Sequence, residues 1–211
     1  MNILIADDHA IVRKGLAQIL LESDLIARIT EAGSGQEVLD ALAKDTFDVV
    51  VLDLNMPEMS GFQVLEHIIS AYPDTPVLVL SMHDEEQYGV RVLRAGAAGY
   101  VAKGTAPDSL LDAVARVASG RRYISPTLAE KLLEVLDDPN DTPLHASLSD
   151  REFDVLHGIV NGDSLTRIGE HLNVSVKTVS TYRARILEKL HLDSNAELVK
   201  YALQHDLFGP E

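Results

Sequence analysis

Apolar positions along the chain follow two different rhythms. Up to about residue 120, short uninterrupted apolar runs alternate with stretches at helical spacing. The runs are Ile3-Leu4-Ile5-Ala6, Val49-Val50-Val51-Leu52, Val77-Leu78-Val79-Leu80 and Gly99-Tyr100-Val101-Ala102. A weaker strand fits Arg28 to Thr30. Runs without polar alternation, rich in valine and isoleucine, predict strands buried on both faces. Between them, Ile11, Val12, Leu16, Ile19 and Leu20, and later Val90, Val92 and Leu93, recur as one face of a helix. Ser34 with Glu37, Ser60 with Gln63 and Asp84 with Gln87 have the spacing of helix-starting capping boxes. Five β-then-α units predict an α/β doubly wound five-stranded parallel sheet covered by helices.

After residue 121 the rhythm changes. Residues 124–136 predict one amphipathic helix, which residues 137–143, with two prolines among acids and amides, cannot continue. Beyond them no strand-like run occurs. Four short helical patterns start at Ser149 (boxed with Glu152), Ser164, Ser175 and Ser194 (boxed with Glu197), so a small all-α domain is expected. The divisions are a first domain at 1–121, a linker helix and flexible acidic linker at 122–144, and a helical domain at 145–211.

Composition narrows the function. Of 211 residues 46% are apolar and 24% charged, which excludes wholesale disorder. No run approaches the roughly 18 apolar residues of a membrane span. MNILIADDHA lacks the basic start of a signal peptide, so a soluble, cytoplasmic protein without a membrane partner is expected. The absence of cysteine excludes disulfides, thiolate zinc sites and cysteine nucleophiles. A net charge of −15 argues against a polyanionic partner only until it is resolved along the chain. Residues 1–123 carry 10 basic and 18 acidic side chains, whereas Lys177, Arg183, Arg185 and Lys189 face only Glu188 between 177 and 189.

In open parallel sheets, sites form beyond the carboxyl ends of the strands. The residues placed there are Asp7 and Asp8, Asp53, Ser81 and Lys103. Three carboxylates brought together repel and raise one another's pKa unless a cation joins them. An oxygen-only cluster with no histidine or cysteine suits Mg²⁺. With that charge neutralised, Asp53 is free to attack phosphorus, Lys103 to bind a phosphoryl oxygen and the Ser81 hydroxyl to donate to another.

These residues carry a resemblance. Asp7-Asp8, the run from Asp53 through Asn55 and Pro57 to Gly61, Ser81, Ala95-Gly96-Ala97-Ala98-Gly99-Tyr100 and Lys103 resemble the receiver domain of two-component signalling, a flavodoxin-like fold, over residues 2–120. The resemblance implies that Asp53 takes a phosphoryl group from the phosphohistidine of a sensor histidine kinase. It also implies that Asp8, Asp53 and the Asn55 backbone carbonyl hold Mg²⁺, with Asp7 helping through water. Ser81 and Tyr100 match the switch pair, in which the hydroxyl moves toward the phosphoryl group and the ring turns inward. Gly104 stands where many receivers have proline.

In the helical domain, residues 165–172 predict a short helix, Asn173-Val174-Ser175 a turn and residues 176–190 a longer helix, with Gly169 small enough for a helix-turn-helix crossing. Val179, Tyr182, Ile186 and Leu190 share the core face of the longer helix. Ser180, Thr181, Ala184, Arg185 and Glu188 share the opposite face, flanked by Lys177, Thr178, Arg183 and Lys189. Small polar, methyl and guanidinium groups suit the major groove, and the flanking donors suit phosphates. Leu148-Ser149-Asp150-Arg151-Glu152, Gly162-Asp163-Ser164, Ile168-Gly169 and residues 177–182 resemble the LuxR-type DNA-binding domain, although Tyr182 and Gly169 stand where many members have histidine and alanine. The whole chain is similar to NarL/FixJ-type response regulators. That resemblance implies a transcription regulator rather than an enzyme, with operator DNA and RNA polymerase as partners and a homodimer when phosphorylated. It also implies that the unphosphorylated receiver masks the recognition helix.

An aspartate-nucleophile phosphatase or dehalogenase needs a second acid two residues after the nucleophile, and Asn55 cannot serve. A regulator working unphosphorylated, through protein contacts alone, would not need the complete acid cluster with Lys103. The eight histidines lack ligand spacing, although His9 and His83 are placed to tune phosphoryl lifetime. The stripe Leu128, Leu132, Leu133 and Leu136 reads as interdomain packing.

Overall fold

The computed structural model describes residues 1–56, 59–82, 85–137, 144–205 and 207–208. They form two compact units, 1–134 and 135–211. In the first, β1 (Asn2–Ala6), β2 (Arg28–Ala32), β3 (Val49–Leu52), β4 (Val77–Ser81) and β5 (Gly99–Ala102) make one sheet in the order β2-β1-β3-β4-β5. Every pairing is parallel. The chain leaves β1 toward β2 and then crosses back to β3, so the switch in strand order lies between β1 and β3.

Burial follows the apolar runs. β3 and β4 are buried throughout and β1 from its second residue, whereas β2, at the edge, is partly exposed and buried only at Ala32. Helices α1 (Ala10–Leu21), α2 (Gly35–Leu42), α3 (Gly61–Ala71), α4 (Glu85–Arg94) and α5 (Pro107–Ala118) connect and follow the strands. Ile3, Ile5, Val49, Val51 and Leu78 form one core cluster with Leu20 of α1 and Leu110, Val114 and Val117 of α5. Ser60 and Gln63 close a full capping box on α3. Ser34 caps α2, but Glu37 reaches past it to the Gly33 N–H at 2.7 Å. The expected cap Asp84 lies outside the described residues, as do His83, Pro57 and the linker residues 138–143.

The helix expected at 124–136 is present as α6 (Pro126–Asp137). Its start packs within the first unit, against the expectation of interdomain packing for the leucine stripe. Leu128 is fully buried over Gly89, where a Cβ would lie 2.7 Å from its Cδ1. Leu133 is 61% exposed.

The second unit is helical: a 3₁₀ turn at Leu144–Ser147, then α7 (Asp150–Val160), α8 (Leu165–His171), α9 (Val176–Leu190) and α10 (Asn195–Gln204). Serines 149, 164, 175 and 194 each accept a backbone N–H at the start of the helix they cap. Phe153, Leu156, Ile168, Val179, Ile186, Leu190 and Leu198 fill the core, and Tyr182 is only half-buried. Gly169 serves both the turn and the approach of α9, because a Cβ there would stand 2.8 Å from the Val174 carbonyl oxygen and 3.6 Å from Val179 Cγ2. Among the described residues no helix is long and apolar enough to cross a membrane.

Candidate functional site

The sheet delivers its polar residues to one edge. Past the end of β1, Asp7 donates its N–H to Ala32 O, and past β3 the Asp53 N–H reaches Ala6 O at 2.8 Å. These bonds extend the ladder by one residue and set the two acids side by side at the β1/β3 switch point. On the other flank the Lys103 N–H bonds Ser81 O at 2.7 Å. The loop after β3 is held where α3 begins: the Gly61 N–H donates to Leu54 O, and a Cβ at Gly61 would fall 2.2 Å from the Asp53 carbonyl oxygen. Only glycine lets α3 start so close to the acid-bearing backbone.

Lys103 Nζ stands 2.6 Å from both Asp7 Oδ2 and Asp53 Oδ2. Both carboxylates are 1% exposed. The contact to Asp53 is an aligned hydrogen bond, while Asp7 Oδ2 is held as an ion pair without that alignment. Asp7 Oδ1 accepts the His9 N–H at 2.7 Å, and Asp53 Oδ1 accepts the Asn55 N–H at 3.2 Å. Asp8 is more open and pairs with His9 Nδ1 at 2.6 Å. Ser81 and Tyr100 are both fully buried, at the end of β4 and within β5.

Electrostatics follow from two buried acids sharing one ammonium. Burial pushes the Asp53 carboxyl up to about 6, against the pull of Lys103 and with Asp7 adding repulsion. Burial would lower Lys103, but Asp53 and Asp7 outweigh it and hold the amine above its ordinary value. A divalent cation relieves both strains, the cost of ionising Asp53 and the imperfectly bonded Asp7 oxygen. One ligand atom from each of Asp7, Asp8, His9 and Asp53 lies within 4.8 Å of the others, and the acid oxygens are the donors that Mg²⁺ prefers.

Two contributions to the site go beyond those expected from the sequence. Arg13 donates to the Asp7 backbone carbonyl and pairs with Glu31 at 3.4 Å, bracing the turn that carries the acids. A cation one helical turn after an acid pair is the signal that points to it. Asn55, expected to act through its carbonyl, also supplies an N–H to Asp53.

The basic island holds exposed and engaged side chains. Lys177, Ser180, Thr181, Ala184 and Arg185 of α9 are exposed, and the Thr181 hydroxyl donates to the Lys177 carbonyl at 3.0 Å. Thr178 is engaged at the cap, its hydroxyl 2.8 Å from that of Ser175. Arg183 bonds Asn195 at the start of α10. Lys189 Nζ reaches Glu152 Oε2 at 2.6 Å and Ser147 O at 3.0 Å. Arg183 and Lys189 are turned to neighbouring helices, because partners on α10, α7 and the 3₁₀ turn lie within reach of their long side chains.

Known proteins share both halves of this arrangement. Residues 3–115 match the response regulator receiver domain family, and residues 146–202 match the family of bacterial regulatory proteins of the luxR type. The response regulator UvrY of Escherichia coli (strain K12) is 35% identical over 213 residues, spanning 100% of this chain and 97% of that protein. The oxygen regulatory protein NreC of Staphylococcus carnosus (strain TM300) is 39% identical over 215 residues, covering 98% of this chain and 99% of its own. RcsB from Salmonella enterica serovar Typhimurium, solved bound to promoter rprA in the presence of the phosphomimetic BeF3⁻, is similar with a TM-score of 0.63. It is 26% identical, with 95% of this chain and 97% of that one covered.

Proposed function

The chain belongs to the response regulators that join a receiver domain to a LuxR-type DNA-binding domain, and from that premise we propose that Asp53 is where a phosphoryl signal enters it. The observation that carries this reading is Lys103 bridging Asp7 and Asp53 at 2.6 Å. An Asp53 oxygen attacks the phosphorus of a sensor kinase's phosphohistidine, the O–P bond forms, and the N–P bond breaks to leave the imidazole. Lys103 transfers its hold to a phosphoryl oxygen. Asp8, Asp53 and the Asn55 carbonyl, with Asp7 acting through water, would hold Mg²⁺, which would supply charge neutralisation for the incoming group. Ser81 and Tyr100 then read the modified site as hydroxyl and ring.

The output is DNA binding by the second unit. Ser180, Thr181, Ala184 and Arg185 lie on the exposed face of α9 and read bases, while Lys177 and Thr178 lie at its start and hold phosphates. The receiver comprises residues 1–121 and the DNA-binding domain residues 145–211, joined through 122–144. Phosphorylation promotes a homodimer on operator DNA in the cytoplasm, where RNA polymerase is the downstream partner. RcsB bound to a promoter with a phosphomimetic present supports this linkage.

Labelling with a small phosphodonor tests the entry point. Uptake should require Mg²⁺ and vanish in Asp53→Asn, which keeps the shape and removes the nucleophile. Strong labelling of that variant at another residue would sink the assignment.

A further inference from the structure

His9 is the N-cap of α1, where Ser, Thr, Asp or Asn ordinarily turns back onto a helix N–H. Its ring makes no capping bond. Nδ1 is directed at the acids instead, 2.6 Å from Asp8 Oδ1 and 3.4 Å from Asp7 Oδ1. Asp7 accepts the His9 N–H through Oδ1 and faces Lys103 through Oδ2, and Asp53 is likewise held by Asn55 and Lys103. Asp7, Asp8, His9 and Asp53 each have a ligand atom within 4.8 Å of the others, and of these Asp8 and His9 are the exposed pair that an incoming ion meets. Two neighbouring ligands on a cation with bonds of about 2.1 Å stand roughly 3 Å apart. To hold one ion between its nitrogen and oxygen, the His9–Asp8 pair opens slightly and Nδ1 releases the proton it shares with Asp8 to solvent.

An imidazole changes which ion is preferred. Carboxylates alone suit Mg²⁺, which gains little from nitrogen, whereas Co²⁺, Ni²⁺ and Zn²⁺ gain much. We propose that His9 is an inner ligand that extends the carboxylate site from Mg²⁺ to the imidazole-binding first-row divalent cations. The inference rests on the metal site proposed above and adds a residue to it. His9 is 67% exposed, so exchanging it leaves the core untouched.

Co²⁺ alone, followed by its visible absorption in the full chain, is the probe. The signal that excess Mg²⁺ displaces separates this site from the other histidines. His9→Gln should weaken the displaceable Co²⁺ binding at least tenfold and change Mg²⁺ affinity, measured by calorimetry, less than twofold. Equal Co²⁺ affinity in the two proteins overturns the proposal. So does a parallel loss of both metals, because His9 would then act only by placing Asp8. If the wild-type protein binds neither Mg²⁺ nor displaceable Co²⁺, the carboxylate metal site itself falls, and His9's role with it.

Discussion

Lys189, on the recognition helix, donates to Glu152 at 2.6 Å, and Glu152 is itself the residue that closes the capping box on α7. One carboxylate thus serves the Ser149 N–H and the Lys189 ammonium while only 3% exposed. The pair fixes where α9 stands relative to α7.

Removing Lys189 should therefore cost folding rather than phosphate contact. Lys189→Ala orphans Glu152 and should destabilise the helical unit by about 1–3 kcal/mol. Burial opposes the Glu152 charge, but Lys189 and Ser149 outweigh it and hold its carboxyl below the usual range. A lowered acid pKa means stability that is present at neutral pH and lost as pH falls through the carboxylate range. The gap between wild type and Glu152→Gln should accordingly close in acid. Urea unfolding by circular dichroism across pH measures both effects.

Lys177→Ala should weaken binding to all DNA sequences alike and flatten the salt dependence by about one unit. Arg185→Ala should instead relax base preference. In folded protein, Lys189→Ala should leave the salt slope unchanged. Affinities over a range of salt concentrations distinguish the three.

Asp53 predicts the opposite pH behaviour to Glu152. Its carboxyl is raised from 3.8 to about 6, so ionising it opposes folding, and stability falls as pH rises through that window. In chelator at pH 7, Asp53→Asn should be more stable than wild type, because the variant has no buried carboxyl to ionise and Lys103 keeps its pairing with Asp7. The difference should disappear below about pH 4, where the carboxyl is protonated folded or unfolded, and shrink when Mg²⁺ is added. Thermal unfolding with and without Mg²⁺ checks it.

A fragment of residues 145–211 should bind operator DNA without phosphorylation, and the full chain should bind more weakly until phosphorylated. Three affinities at one salt concentration decide this. Equal affinity of the fragment and the unphosphorylated chain would exclude masking.

Much of this is legible in the sequence because the informative signals are local. Apolar runs mark β1, β3 and β4, and serine caps mark the helical starts. Topology then requires Asp7, Asp53, Ser81 and Lys103 to converge. What the sequence conceals depends on partners distant along the chain. A helical wheel places Lys189 beside the basic island but cannot show Glu152, 37 residues earlier, within its reach. Leu128 resembles a bridge between domains because nothing local announces that Gly89 leaves room for it. Glu37 meets the capping-box spacing, yet its carboxylate finds the N–H one residue further back.

The order of strands also bears on how the protein comes into being. Asp7 and Asp8 are made before the rest of the site, yet β1 must await β2 and β3, and Lys103 follows the last strand. Its bond to Asp53 closes a loop of 50 residues, and crossover pairing of this kind is slow to form. A nascent or half-folded chain thus carries the acids without the ammonium that positions them. On the function proposed above, competence to accept a phosphoryl group arrives last, so the chemistry of the site would certify that the sheet beneath it is complete.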